Sequence, residues 1–219
     1  YTSWLYLPFV IKPLWAPFVD LIKTKRWWVV TLELLIGALF ASVAFTLALP
    51  NYFQASLALF WLLAFSGATH DISSDGFYML GLNQHEQAAY VGIRSTFFRL
   101  SMITGQGGLV YLAGKLTEST GNVVLAWQVV FVLLATLFGG MSLYHKLMLP
   151  RPVDDVARRD GANIVQSFGV VFLKFLQKKD ILIVLSYLLF YRFGESQLVK
   201  MAPPFLLDAR DKGGMGLST

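Results

Sequence analysis

The chain is 219 residues long, 56% hydrophobic and only 14% charged, with a mean hydropathy of +0.58. A water-soluble domain carries about 25% charged residues, so this composition excludes a freely soluble globular protein and points to a multi-span helical membrane protein. The net charge of +5 is no nucleic-acid signature, because the basic residues gather between apolar runs, and the lack of cysteine excludes disulfides and thiolate metal sites.

The first apolar run, residues 1–19, is interrupted by Lys12, Pro13 and Pro17. Proline removes a backbone donor and kinks a helix, which a membrane tolerates where neighbours or water satisfy the freed carbonyl. Lys23, Lys25 and Arg26 then mark a cytoplasmic loop, with Trp27 and Trp28 suited to the interface. The second run, residues 27–49, carries only Glu33 as a charge, and Pro50-Asn51-Tyr52 is an uncharged turn on the far side. Lys12 and Glu33 each stand alone in sequence and read as side chains that snorkel toward the interface.

The third run, residues 53–80, returns inward and contains Ala68-Thr69-His70-Asp71-Ile72-Ser73-Ser74-Asp75. Asp71 and Asp75 are four apart and share one helix face. A charge in the hydrocarbon costs roughly 2.5–3.5 kcal/mol on insertion scales, so such a face turns toward a bundle interior or a water-filled cavity. The plainer alternative is that the helix has already left the membrane and the pair solvates its end. His70 admits a proton-relay reading and, as a single histidine, an interfacial one.

The fourth run, residues 88–113, is the least apolar. It holds Arg94 and Arg99, separated by about 140° around a helix, then Thr104-Gly105-Gln106-Gly107-Gly108, whose glycines allow close approach or local unwinding. Either arginine can neutralise Asp71 or Asp75. A carboxylate facing an arginine keeps its proton off, and one that is desolvated without a partner takes a proton up. Alternation between the two surroundings is the minimum needed for proton coupling. A fixed ion pair holding two helices in register is the structural alternative.

A polar outer loop, residues 115–122, precedes a fifth run, residues 123–147, which has no acidic or basic residue before His145. The long inner segment that follows repeats apolar residues at helical spacing beside Lys174, Lys178 and Lys179, and predicts a surface-lying amphipathic helix over residues 163–177. The last run, residues 181–207, carries Arg192 and Glu195, three apart and able to pair within their own helix. Most cations, including Lys23, Lys146, Arg151, Arg158 and Lys174, fall in inner segments, against Lys115, Arg210 and Lys212 in outer ones, which sets the orientation. Tyr1 opens inside an apolar run and Gly213-Gly214 lead toward a further helix, so the chain is expected to be an internal piece of a longer protein. No GxSxG elbow, P-loop, HExxH or metal-ligand spacing occurs. The reading is therefore of a non-enzyme without cofactor or metal.

Leu14-Trp15-Ala16-Pro17-Phe18-Val19-Asp20 before a basic loop resembles the loop after the second helix in the AmpG-like branch of the major facilitator superfamily. The stretch from Ala68 to Asp75 is similar to that branch's fourth-helix signature, where Gln more often stands in place of His70. Tyr191-Arg192-Phe193-Gly194-Glu195 and Pro204-Phe205-Leu206-Leu207-Asp208 are similar to its seventh helix. The resemblance implies an all-α integral membrane protein, a partial helical bundle of about six membrane helices belonging mainly to the first lobe of a two-lobed transporter. Residues 1–149 would hold helices two to six, residues 150–180 a cytoplasmic linker, and residues 181–219 the seventh helix. Members of known role import anhydro-muropeptides across the bacterial inner membrane with protons. Related members carry acetyl-CoA.

The expected function is thus a monomeric, multi-pass, proton-driven permease for a sugar-peptide or related glycoside, with the lipid bilayer and protons as its other partners. A general oligosaccharide symporter and a non-transporting receptor or scaffold are the alternatives. Asp71, Asp75, Arg94, Arg99 and His70 are assigned to the proton or substrate pathway, and Gln106, Glu195 and Tyr78 to a substrate cavity.

Overall fold

The computed structural model describes residues 2–16, 19, 22–157, 170, 173 and 177–216, and all the regular structure among them is helical. These residues fall into two compact units, residues 1–161 and 162–219.

In the first unit the opening apolar run is broken, as its prolines require. A 3-10 turn, Thr2–Tyr6, leads into helix α1, Leu7–Ile11, and a second 3-10 turn, Lys12–Leu14. Pro13 lies in that second turn, where its missing N–H interrupts the helical ladder. Helix α2, Lys25–Thr46, starts where the Thr24 hydroxyl accepts the Trp27 amide at 3.1 Å, an N-cap bond. Helix α3 runs from Tyr52 to Gly81. Helix α4, Gln84–Ile103, opens with a capping box between Asn83 and Glu86. It passes through a π turn, Thr104–Gly108, into helix α5, Leu109–Thr120. The local unwinding expected at Thr104–Gly108 takes this form, a wide turn with five-residue hydrogen-bond spacing. Gly121 closes α5 at φ +67°, a backbone that glycine adopts without strain. Helix α6, Val123–Met148, is capped by Asn122, whose side chain accepts the Leu125 amide at 3.0 Å.

Helices α2, α3 and α6 have the length and hydropathy to cross a membrane. The α4–α5 stretch is continuous helix through the π turn but less apolar, since α4 carries two arginines and buries no residue. Helix α2 packs against both α3 and α6. Its buried face holds Val29, Leu32, Ile36, Leu39 and Val43. Gly37 lets the α6 backbone come close: a Cβ there would stand 3.0 Å from the Ala135 carbonyl oxygen and 3.1 Å from the Gly139 nitrogen. Small residues at such a seam are how membrane helices approach. Polar side chains tie the same helices. Gln128 donates to the Ala44 carbonyl at 3.0 Å, Ser142 donates to the Val30 carbonyl at 2.8 Å, and the Thr46 and Ser56 hydroxyls meet at 3.3 Å.

The segment after α6 folds back on the start of α2. Asp155 accepts the Lys25 amide at 2.6 Å and the Arg26 amide at 2.9 Å. A carboxylate there meets both free helix-end donors and the positive end of the helix dipole. The Arg26 guanidinium in turn donates to the carbonyls of Leu149 and Lys146.

The second unit contains helix α7, Ile181–Leu207. Tyr187 and Tyr191 stack on its surface with ring centroids 6.2 Å apart. The chain then turns through Gly213 at φ +85°. The amphipathic helix expected over residues 163–177 lies almost wholly outside the described residues.

Candidate functional site

Asp71 and Asp75 lie well inside α3, which continues to Gly81, so they do not serve as its end cap. The helix places them one turn apart on one face, and each is held by a cation from a different element. The Lys12 ammonium, carried by the 3-10 turn after α1, donates to Asp71 Oδ2. The Arg94 guanidinium of α4 donates to Asp75 Oδ1. Lys12 was expected to snorkel alone, and the structure corrects this: the proline-broken first run brings it back onto α3. Trp15, in the same broken stretch, donates its indole N–H to Thr69 Oγ1 at 3.3 Å and tilts against Phe65 with centroids 5.6 Å apart. An apolar recess of about 290 Å³ opens beside Thr69, lined in part by Trp15, Trp28, Leu32 and Phe65.

Arg94 also lies over the Tyr78 ring, 5.2 Å from its centroid, a cation–π contact. The Tyr78 hydroxyl donates to the Gln87 carbonyl at 2.6 Å, and the Gln87 amide donates to the carbonyls of Met79 and Leu82. Asp75, Arg94 and Tyr78 therefore form one cluster where α3 hands over to α4. The carboxylates of Asp71 and Asp75 retain 40% and 37% exposure, so each is neutralised by a cation yet still open to exchange. An ion pair of this kind can be opened by a competing charge, by a proton, or by movement of the element that supplies the cation.

The remaining expected residues are placed differently. Arg99 is exposed on α4 and, among the described residues, pairs with neither aspartate. Gln106 is exposed in the π turn, with its amide 3.9 Å from Met102 Sδ. Glu195 belongs to α7 of the second unit, and its side chain is outside the described residues. His70 does not stand alone at an interface but lies against Glu33 of α2. Its Nε2 is buried, has no hydrogen-bond partner among the described residues, and lies 3.4 Å from Glu33 Oε1. Its Nδ1 is 3.5 Å from the Ser74 hydroxyl.

Glu33 is the larger correction. It does not reach an interface; it is 4% exposed in the seam between α2, α3 and α6. His145 Nδ1 stands 2.7 and 2.9 Å from its two carboxyl oxygens. The available signal was that Glu33 is the lone charge of the second run and His145 the first acidic or basic residue of the fifth. Two solitary polar groups in separate apolar helices are each costly alone and cheaper together. Among the described residues no group of three His, Asp or Glu side chains is arranged to hold a metal ion.

The chain is 26% identical over 211 residues to an uncharacterized protein of Haemophilus influenzae, covering 92% of this chain and 47% of the relative. It is 24% identical over 219 residues to a putative transporter, AmpG 4, of Rickettsia felis, covering 92% of this chain and 49% of the relative. It is also 24% identical over 204 residues to the anhydromuropeptide permease of Escherichia coli, covering 91% of this chain and 39% of that protein. The chain thus spans less than half the length of these curated relatives. No family model matches it. No solved structure matches it.

Proposed function

The chain is AmpG-like over about nine-tenths of its length, and from that premise we propose that the protein is a proton-driven permease of the bacterial inner membrane, importing cell-wall muropeptides or related sugar compounds. The observation that carries the mechanism is the pair of aspartates one turn apart on α3, each paired with a cation from a separate element. In this structure Lys12 pairs with Asp71 and Arg94 with Asp75. If the first segment or α4 moves away, the carboxyl group loses its counter-charge, and a proton can take the cation's place. Protonation on one side and re-pairing on the other links a proton's passage to the exchange of helix contacts. Substrate groups bearing charge compete for the same cations, which supplies the second half of a symport cycle. Multi-pass insertion with the loop before α2 facing the cytoplasm, and action as a monomer, belong to the same proposal.

The test is uptake of radiolabelled anhydro-muropeptide by vesicles containing the full-length protein. Accumulation should require a proton gradient and collapse with an uncoupler, and simple oligosaccharides should compete poorly. Asp71→Asn and Asp75→Asn should each abolish accumulation while leaving insertion intact, because the amide keeps shape and hydrogen-bonding capacity without a titratable charge. Effective competition by oligosaccharides would favour a general sugar symporter. Full accumulation by the double Asn variant would remove these aspartates from the mechanism, and no gradient-driven uptake of either class would favour a receptor or scaffold.

A further inference from the structure

We propose that Glu33, His70 and His145 form a proton-binding site separate from the Asp71 and Asp75 ion pairs, with a proton as its ligand. Its use in transport rests on the permease reading above; its existence as a site does not.

The geometry makes a strong demand. His145 Nδ1 is within hydrogen-bond distance of both Glu33 oxygens, so a proton must lie between ring and carboxyl, whether on the nitrogen or on the oxygen. His70 Nε2, buried and without a hydrogen-bond partner among the described residues, lies 3.4 Å from Oε1. A bare ring nitrogen set against a carboxylate oxygen is repulsive, and a proton on either one turns the contact attractive.

The charge balance leads the same way. With both histidines neutral and Glu33 ionised, the cluster carries a net negative charge at a residue 4% exposed. Among the described residues, the ion-pair partners of Glu33 are the two histidines. Burying an unbalanced charge costs several kcal/mol, and a paired or protonated one much less. One added proton makes the cluster neutral and a second makes it positive. The arrangement suits a proton better than a metal ion. Zinc ligands at about 2.0–2.1 Å from the ion stand more than ~3 Å apart, whereas His145 Nδ1 and Glu33 Oε1 are 2.7 Å apart.

The other charged and titratable groups on the packed elements are turned elsewhere or lie at the helix end. On α3, Asp71 is taken by Lys12 and Asp75 by Arg94. On α2, Arg26 bonds the carbonyls beyond α6, and the Lys25 side chain lies against Gly76. On α6, the Tyr144 ring is 5.5 Å from that of His145, and Lys146 is exposed. The site therefore joins three helices, and a shift of α3 against α2 and α6 would separate His70 from Glu33 and leave the pair with His145 behind. That separation changes where the cluster can keep its proton.

The test is an infrared pH titration of the full-length protein in lipid vesicles, following carboxyl and imidazole bands. The wild type should show a buried carboxyl–imidazole titration that survives in the Asp71→Asn/Asp75→Asn double variant. Glu33→Gln should lose it completely. His70→Gln, which keeps a polar side chain but no titratable ring, should insert normally and shift the titration midpoint. An unchanged titration in Glu33→Gln or in His70→Gln would overturn the proposal, as would its displacement by stoichiometric zinc. Muropeptide uptake measured in the same vesicles keeps the two readings apart. No uptake with the titration intact sinks the permease reading alone, and uptake with a titration indifferent to Glu33 sinks this site alone.

Discussion

Replacing Gly37 by alanine puts a methyl group into the α2–α6 seam where both nearest neighbours are backbone. The new Cβ would lie 3.0 Å from the Ala135 oxygen, 3.1 Å from the Gly139 nitrogen and 3.4 Å from Phe138 Cβ, so the helices must part by a few tenths of an ångström. Helix propensity favours alanine over glycine by about 1 kcal/mol. Overpacking a tight contact costs about 1–3 kcal/mol, and a backbone pair cannot turn aside as a side chain can. The balance is a loss of about 1 kcal/mol for Gly37→Ala and about 3 kcal/mol for the branched Gly37→Val. Glu33 is one turn earlier on the same helix, so parting the seam also lengthens its bonds to His145. The assay is reversible unfolding of the full-length protein in mixed micelles, with Gly140→Ala as control, since a Cβ at Gly140 meets nothing within 4 Å. The control should be neutral or slightly stabilising. If Gly37→Ala stabilises as much as Gly140→Ala, the close approach at this seam is not what the packing depends on.

Removing the Asp155 carboxylate with Asp155→Ala should cost about 0.5–2 kcal/mol, the usual worth of a helix cap, read in the same unfolding assay, and Asp155→Asn should cost less. Exchanging the charges of the α3–α4 pair, as Asp75→Arg with Arg94→Asp, should restore the expression that either single change lowers; no recovery would mean that the two side chains do not support each other. Cysteines placed at Glu118 and at Asp154 should label with impermeant reagent from opposite faces of the membrane, and labelling from one face would overturn the orientation read from the loop charges.

The helices were legible in the sequence because their signals are local. The runs at residues 27–49, 53–80, 123–147 and 181–207 became helices within a few residues of those bounds, and the glycines of Thr104–Gly108 marked the wide turn. The acidic pair on α3 was legible from its four-residue spacing, and the cost of leaving either charge alone pointed to Arg94 or Arg99 without choosing between them; the structure pairs Arg94 with Asp75. Lys12, Glu33 and His145 were not, for a shared reason. A helical pattern says which face a residue occupies but not which helix comes to meet it, and 112 positions separate Glu33 from His145. The fold of the proline-broken opening, which returns Lys12 to Asp71, depends on contacts with α3 that no window of sequence contains.

The π turn between α4 and α5 gives the fourth run a movable register mark. A wide turn holds one residue more than an α turn, and shifting it along the helix by one turn rotates each residue it passes by about 100°. The stretch from Gln84 to Thr120 is fastened near its two ends, to α3 through Gln87 and Arg94 and to α6 through α5. Migration of the wide turn would therefore swing Gln106 or Arg99 around the helix axis while both anchors stay in place. The bundle can re-aim one side chain without sliding a helix, and cysteines at Met102 and Gln106 would register the swing as a reciprocal change in their labelling rates.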